Sequence, residues 1–173
     1  LTYGGAHRSG LSNNVRGISA GGNNASQTVV NNIDYITIPS TGNATDFGDL
    51  TVARLKSNGG LASTTRGVIG GGYNDSSATL YNTIEYITIA STGNATDFGD
   101  LLSSSYTGAS ASNNTRGLFH EAFTGSTSNV ISYITMASAG NATDFGDMLV
   151  AYSDDEGLAN STRAIFSMFA GGS

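Results

Sequence analysis

Asn43-x-x-Asp46-x-x-Asp49 recurs as Asn94, Asp97, Asp100 and again as Asn141, Asp144, Asp147, which makes three oxygen-rich clusters at one spacing. Carboxylate and amide oxygens at that density are the ligands Ca²⁺ takes, about six to eight at a time. The same residue types cap turns through their own backbone, and a carboxylate can pair with a guanidinium. The capping and pairing use is favoured over Ca²⁺, so no cofactor and no metal is expected. Candidate cations recur as well: Arg16, Arg66, Arg116 and Arg163 stand 50, 50 and 47 residues apart. A structural latch is expected between these arginines and Asp46, Asp97 and Asp144, tying one sheet to the next. A ring of arginines holding an anionic glycan is the competing use.

Groups suited to catalysis are sparse. His7 and His120 are the two histidines, at non-equivalent repeat positions and without a companion at ligand spacing. The serines lack a nucleophile elbow, an adjacent histidine and an oxyanion-type glycine cluster. Gly70-Gly71-Gly72 lacks the Lys-Ser/Thr of a phosphate loop and reads as close sheet packing. No catalytic residue is expected, and the chain is read as not an enzyme.

Binding chemistry is expected in the loops. Segments 23–30, 73–80 and 123–128 differ in length and composition between nearly constant flanks. Function grafted on a repeat scaffold usually lies in such loops. Asn24, Tyr73, Asn74, Tyr81 and Phe123 are the candidate contacts, their aromatic rings suited to stacking on sugar. Asn-x-Ser/Thr triplets occur at Asn24, Asn43, Asn74, Asn94, Asn113, Asn141 and Asn160, numbers that chance supplies in a chain this rich in Asn, Ser and Thr.

The elements that must position these residues form a tandem repeat. Segments 31–50 and 82–101 agree at 17 of 20 positions, and 82–101 and 129–148 at 15 of 20. Such self-similarity marks one supersecondary unit copied in series. The units run 1–49, 50–100 and 101–147, with a half unit at 148–173, all in one repeat domain. Each reads as four short strands: a weak first strand, a second beginning at the arginine, a strong third (Ile33–Ile38, Ile84–Ile89, Ile131–Met136) and a fourth from about Ala44 to Val52, Ala95 to Ser103 and Ala142 to Ala151. Ser-Thr-Gly-Asn or Ser-Ala-Gly-Asn supplies the turn before the fourth strand. No window has the apolar spacing of an amphipathic helix. The third strand is apolar on both faces, with polar exceptions at Asp34, Glu85 and Ser132. Such a sheet must be covered on both sides, so the units stack on one another.

Composition narrows the partners. Only 12% of residues are charged and the net charge is −6, so nucleic acid, which demands clustered cations, is not an expected partner. No apolar run nears the ~20 residues of a membrane span, and no leader pattern stands at residue 1. Cysteine and tryptophan are absent and there is one proline, which fits an extracellular coat or fibre protein.

The chain resembles the kelch-type propeller repeat. The resemblance rests on Gly21-Gly22, Gly71-Gly72 and Gly171-Gly172, on the central aromatics Tyr35, Tyr86 and Tyr133, and on Phe47, Phe98 and Phe145 where kelch repeats carry Trp. The third unit departs with His120-Glu121. More narrowly, Tyr-Ile-Thr-Ile-Ala-Ser-Thr-Gly-Asn-Ala-Thr-Asp-Phe-Gly-Asp-Leu is similar to tandem repeats in tail-associated proteins of cyanophages and other aquatic bacteriophages. The resemblance implies all-β propeller blades, with an open stack or solenoid as the alternative, in a virion or extracellular setting. It further implies a structural and adhesive part of a tail fibre, with other copies of itself, other virion proteins and surface glycan as partners. The alternatives are a self-assembling filament subunit joined by strand pairing at the half repeat, and a bacterial carbohydrate-binding propeller. An unpaired edge at Ile165-Phe166-Ser-Met168-Phe169 favours assembly over a lone monomer.

Overall fold

The computed structural model describes residues 5–55, 60–153 and 155–168. The first unit contributes β1 (Gly5–Ala6), β2 (Ser9–Ser12), β3 (Arg16–Ala20), β4 (Asn23–Asn24), β5 (Asn32–Thr37) and β6 (Thr45–Asp49). The second contributes β7 (Gly60–Ala62), β8 (Arg66–Gly70), β9 (Tyr73–Asn74), β10 (Thr79–Leu80), β11 (Thr83–Thr88) and β12 (Thr96–Asp100). The third holds β13 (Ser110–Ser112), β14 (Arg116–His120), β15 (Val130–Thr135) and β16 (Thr143–Asp147), and the half unit holds β17 (Asp155–Ala159) and β18 (Ala164–Met168). Each full unit is one antiparallel four-stranded meander, in the orders β2-β3-β5-β6, β7-β8-β11-β12 and β13-β14-β15-β16. β17 and β18 pair by themselves, and the ribbons β1-β4 and β9-β10 sit outside the main sheets. Among the described residues there is no helix, and no sheet closes into a barrel.

Register repeats with the sequence. Tyr35, Tyr86 and Tyr133 stand opposite Ile18, Val68 and Leu118 on the second strand. A bulge then falls between Ile33 and Asp34, Ile84 and Glu85, and Ile131 and Ser132. It is accommodated by Gly48, Gly99 and Gly146, whose φ angles of 143°, 145° and 131° suit glycine. The fourth strands are shorter than the sequence predicts. They stop at Asp49, Asp100 and Asp147 because the next amide turns back to the loop before the third strand, with Leu50 N on Asn31 O at 2.8 Å and Leu101 N on Asn82 O at 2.7 Å.

The apolar core lies between sheets. Leu11, Ile18, Ile33 and Phe47 of the first sheet pack on Ile69, Ile87, Ile89 and Ala95 of the second. Leu61, Val68, Ile84 and Phe98 pack in the same way on Phe119, Ile134, Met136 and Ala142 of the third. Each sheet thus presents one apolar face forward and another backward, as the third-strand pattern requires. Ile87 is 2% exposed under the first sheet, whereas its counterpart Ile36, on which no described sheet packs, is 45% exposed.

Backbone contact at the junctions is close enough to dictate glycine. A Cβ on Gly48 would lie 2.5 Å from Gly93 O, and one on Gly99 would lie 2.5 Å from the Gly140 carbonyl. Gly146 meets nothing within 4 Å. Alanine at residue 99 or 146 suffers a similar φ penalty, so their difference isolates the next unit's turn. Gly99→Ala is expected to cost at least about 1 kcal/mol more than Gly146→Ala in urea denaturation. Equal losses would mean the turn is not tightly seated.

Candidate functional site

The repeat arginines join units, but through groups other than the expected carboxylates. Arg16 Nη1 donates to Ile89 O of the next unit at 2.7 Å, and Arg66 Nη1 donates to Met136 O at 3.1 Å. Their guanidinium planes rest on Tyr35 at 4.5 Å and Tyr86 at 4.7 Å, and each tyrosine meets Phe47 or Phe98 edge to face. No ion pair forms between Arg16, Arg66, Arg116 or Arg163 and Asp46, Asp97 or Asp144 among the described residues. The reason is placement: these aspartates begin the fourth strand on its exposed side, away from the aromatic face the arginines cover. The asparagines of the same triplets do bridge units. Asn94 Oδ1 accepts from Asp49 N at 3.0 Å, and Asn141 Oδ1 accepts from Asp100 N at 3.1 Å. No group of three or more His, Asp or Glu stands close enough to hold a metal among the described residues.

The ionic chemistry lies deeper, at the polar exceptions of the third strand. Arg8 Nη2 pairs with Asp34 at 3.0 Å and donates to Ser19 O and Asn32 O. Arg54 pairs with Glu85, both side chains fully buried, and donates to Gly71 O at 2.6 Å and Thr83 O at 2.9 Å. Asn32 and Thr83 are equivalent, as are Asp34 and Glu85, so both arginines occupy one kind of socket. The Gly-Gly pairs make room for it: a Cβ on Gly22 would sit 2.5 Å from Arg8 Cγ, and one on Gly72 would sit 3.0 Å from Arg54 Cδ. Desolvation draws the Arg54 guanidinium down to about 10, against a smaller opposing pull from Tyr81, so it remains cationic at neutral pH.

The third unit rebuilds the socket without a cation. Ser105 holds the place of Arg54, since Gly22 N donates to Arg54 O and Gly72 N donates to Ser105 O. Ser132 replaces the carboxylate, and Glu121 replaces the first glycine of the pair, since its amide donates to Val130 O as those of Gly21 and Gly71 donate to Asn32 O and Thr83 O. Glu85 Oε2 accepts from Thr51 N at 2.7 Å, and Glu121 takes over that duty with bonds from Leu102 N and Ser103 N, each 3.0 Å. Burial raises the Glu121 carboxyl above its ordinary 4.5; Asp144 adds to the rise, and Ser132 and the two amides oppose it. Beside it, His120 Nδ1 meets Asp155 Oδ2 at 2.8 Å and Nε2 meets Ser128 O at 3.0 Å. Both ring nitrogens face acceptors, so the histidine fastens β17 to the third sheet and offers no nitrogen to a substrate.

The candidate loop residues are largely occupied by the scaffold. Asn24 Oδ1 caps Ser26 N and Thr28 N, and Asn74 Oδ1 caps Ser76 N and Ser77 N. Tyr73 exchanges both backbone bonds with Leu55. Phe123 stacks on Tyr106 at 4.9 Å, and the Tyr81 ring lies 5.8 Å from the Arg54 guanidinium. What remains exposed is the ribbon tips, where Gln27 (φ 61°) and Ala78 (φ 51°) hold left-handed backbone. Arg8 and Arg54, the structurally decisive cations, sit off the repeat period, so periodicity alone passes over them. The Gly171-Gly172 pair lies outside the described residues.

No family model matches the chain, and no curated protein matches it. Among solved structures it is similar to YjhT, with a TM-score of 0.72 over 94% of this chain at 7% identity. The chain spans 58% of the length of that structure. At that identity the likeness bears on the fold alone.

Two measurements test the sockets. Glu85→Gln strands a buried cation and is expected to cost about 3–5 kcal/mol, while the double variant Arg54→Met/Glu85→Leu recovers most of the loss. A double variant no better than the single would show that the pair does not act as a unit. For Glu121, the unfolded carboxyl ionises first as pH rises past 4.5, so the native state then holds more protons and loses stability with rising pH. Urea midpoints followed from about pH 4 to 7 should show the parent chain losing ground to Glu121→Gln. A constant gap would contradict the burial argument.

Proposed function

We propose that this chain is a non-enzymatic repeat scaffold, a structural and adhesive part of a phage tail fibre or similar virion appendage. The observation that carries the reading is the use made of its polar groups. The buried ions, His120 and the repeat arginines Arg16 and Arg66 are engaged in holding strands and sheets together, while the loops that vary between units expose their tips. A rigid frame with variable loops is the usual arrangement for contact with a receptor or glycan. The units act as kelch-like propeller blades, with an open stack of sheets as the alternative, and further copies or other appendage proteins complete the assembly. No membrane insertion and no nucleic acid enters this reading, and the setting is virion or extracellular.

A second reading, a filament subunit joined by strand pairing, is favoured by β18, which pairs on one side only among the described residues. Electron microscopy of the purified chain separates the two: closed or particle-bound copies are expected for the first, and long open polymers would favour the second. On a glycan array, binding is expected to fall at least about tenfold, or ~1.4 kcal/mol, in Tyr73→Ala with circular dichroism unchanged. A turnover of any small substrate that tracked one residue would overturn the non-enzymatic reading.

A further inference from the structure

Two of the three full units seat a guanidinium on the same set of oxygens, and the third presents a matching set drawn from different residues. Asn32 O accepts from Gly21 N and from Arg8, with the Asp34 carboxylate on the same arginine. Thr83 O accepts from Gly71 N and from Arg54, with the Glu85 carboxylate on the same arginine. In the third unit Val130 O accepts from Glu121 N at 2.9 Å, and the carboxylate is that of Glu121 itself, 1% exposed. No Arg, Lys or His pairs with Glu121 among the described residues. Its neighbour His120 is committed to Asp155 and to Ser128 O.

Hydroxyls stand where the second unit has its cation and strand carboxylate. Ser105 occupies the Arg54 position, so its side chain starts toward the same socket. It is 0% exposed, and its Oγ has no hydrogen-bond partner among the described residues. Ser132, at the Glu85 position and equally buried, stands beside the Glu121 carboxyl. A buried hydroxyl without a partner is costly, and so is a buried carboxylate without a cation. One occupant relieves both. In place of Arg54, Glu85, Gly71 and Gly72 the third unit has Ser105, Ser132, Glu121 and Ala122. That set carries fewer side-chain heavy atoms, but the deficit is smaller than a guanidinium group, which sets the occupant's size at that of a single ion.

We infer that the third socket binds one small monovalent cation of the alkali class, held by the Glu121 carboxylate, the Ser105 and Ser132 hydroxyls and the Val130 carbonyl. The socket offers oxygen alone, the ligand that hard cations take. Each Glu121 oxygen accepts one amide, from Leu102 or Ser103, and retains a second lone pair. One buried carboxylate balances one charge. Ca²⁺ asks for about six to eight oxygens, and the other carboxylate whose charge reaches Glu121 is turned away: Asp144 is exposed, with Oδ1 on Gly146 N at 3.0 Å. The ion does for the third unit what Arg8 and Arg54 do for the first two, neutralising the carboxylate and tying it to a strand carbonyl. The inference is independent of the scaffold reading.

The test is thermal melting of the full chain at about pH 7 in NaCl, KCl or choline chloride at one ionic strength, choline being too large to enter. Saturable stabilisation by sodium or potassium is expected, with melting at least about 2 °C above that in choline. Glu121→Gln keeps the shape, removes the charge and should abolish the difference. Ser105→Ala should weaken the apparent affinity for the ion about fivefold. The double variant Ser105→Arg/Ala122→Gly returns a guanidinium, with a glycine beside its stem as Gly72 stands beside Arg54, and should melt alike in all three salts. Should that variant not fold, the two single substitutions decide. Equal melting of the parent chain in the three salts overturns the site. So does a sodium or potassium effect that survives Glu121→Gln or Ser105→Ala unchanged, or that persists in the folded double variant.

Discussion

A small sheet with apolar side chains on both faces cannot be stable alone in water, and every other feature of this molecule follows from that. Burying one phenylalanine or isoleucine is worth about 1.5–3 kcal/mol, and each complete junction buries several at once. The cost is that each sheet's stability depends on its neighbours. The same sequence therefore has two environments: Ile87 is sealed beneath the first sheet, while Ile36 faces solvent. Phe98 and Phe145 differ in the same way at the other end.

Apolar contact alone sets neither the spacing nor the angle between sheets. Hydrogen bonds from Arg16 and Arg66 to strand-end carbonyls, and from backbone amides to Asn94 and Asn141, fix where each unit sits on the last. Gly48 and Gly99 permit the turn to approach the backbone directly. Near the loops joining second to third strands, the Arg8–Asp34 and Arg54–Glu85 pairs bind main-chain carbonyls of their own sheets. A buried pair of this kind adds little net stability over apolar packing, but losing one partner is costly. That asymmetry accounts for the third unit, where cation and strand carboxylate are replaced together and Glu121 arises at the former glycine to serve the same backbone amide position.

Such coordinated replacement is hard to see in a single chain. Asp34, Glu85 and Ser132 stand out in the sequence as polar residues on an apolar strand, but nothing there shows what they face. Arg54 enters from the connection after Leu50 and Arg8 from the segment before β2, so neither shares a register with the other. The expected pairing of Arg16 with Asp46 fails for a similar reason: charge suggests a partner, but the side of the strand decides it. Arg16 lies over Tyr35 instead, a contact worth about 0.5–2 kcal/mol. The candidate sugar-stacking rings Phe123 and Tyr81 looked free in a variable loop and are held by Tyr106 and Arg54.

From sequence alone came the repeat length, the all-β class, the four strands of each unit, the position of the turns and the need for both faces to be covered. These are local or periodic properties, set by β-branched content, glycine and asparagine at turns, and alternation along a strand. The tertiary structure decided which groups meet across a junction, arginine to carbonyl and asparagine to amide, and which meet within a unit, two off-period cations and two buried carboxylates. Those pairings join residues 17 to 73 positions apart, and their energy depends on side-chain direction and burial, which no spacing of letters contains.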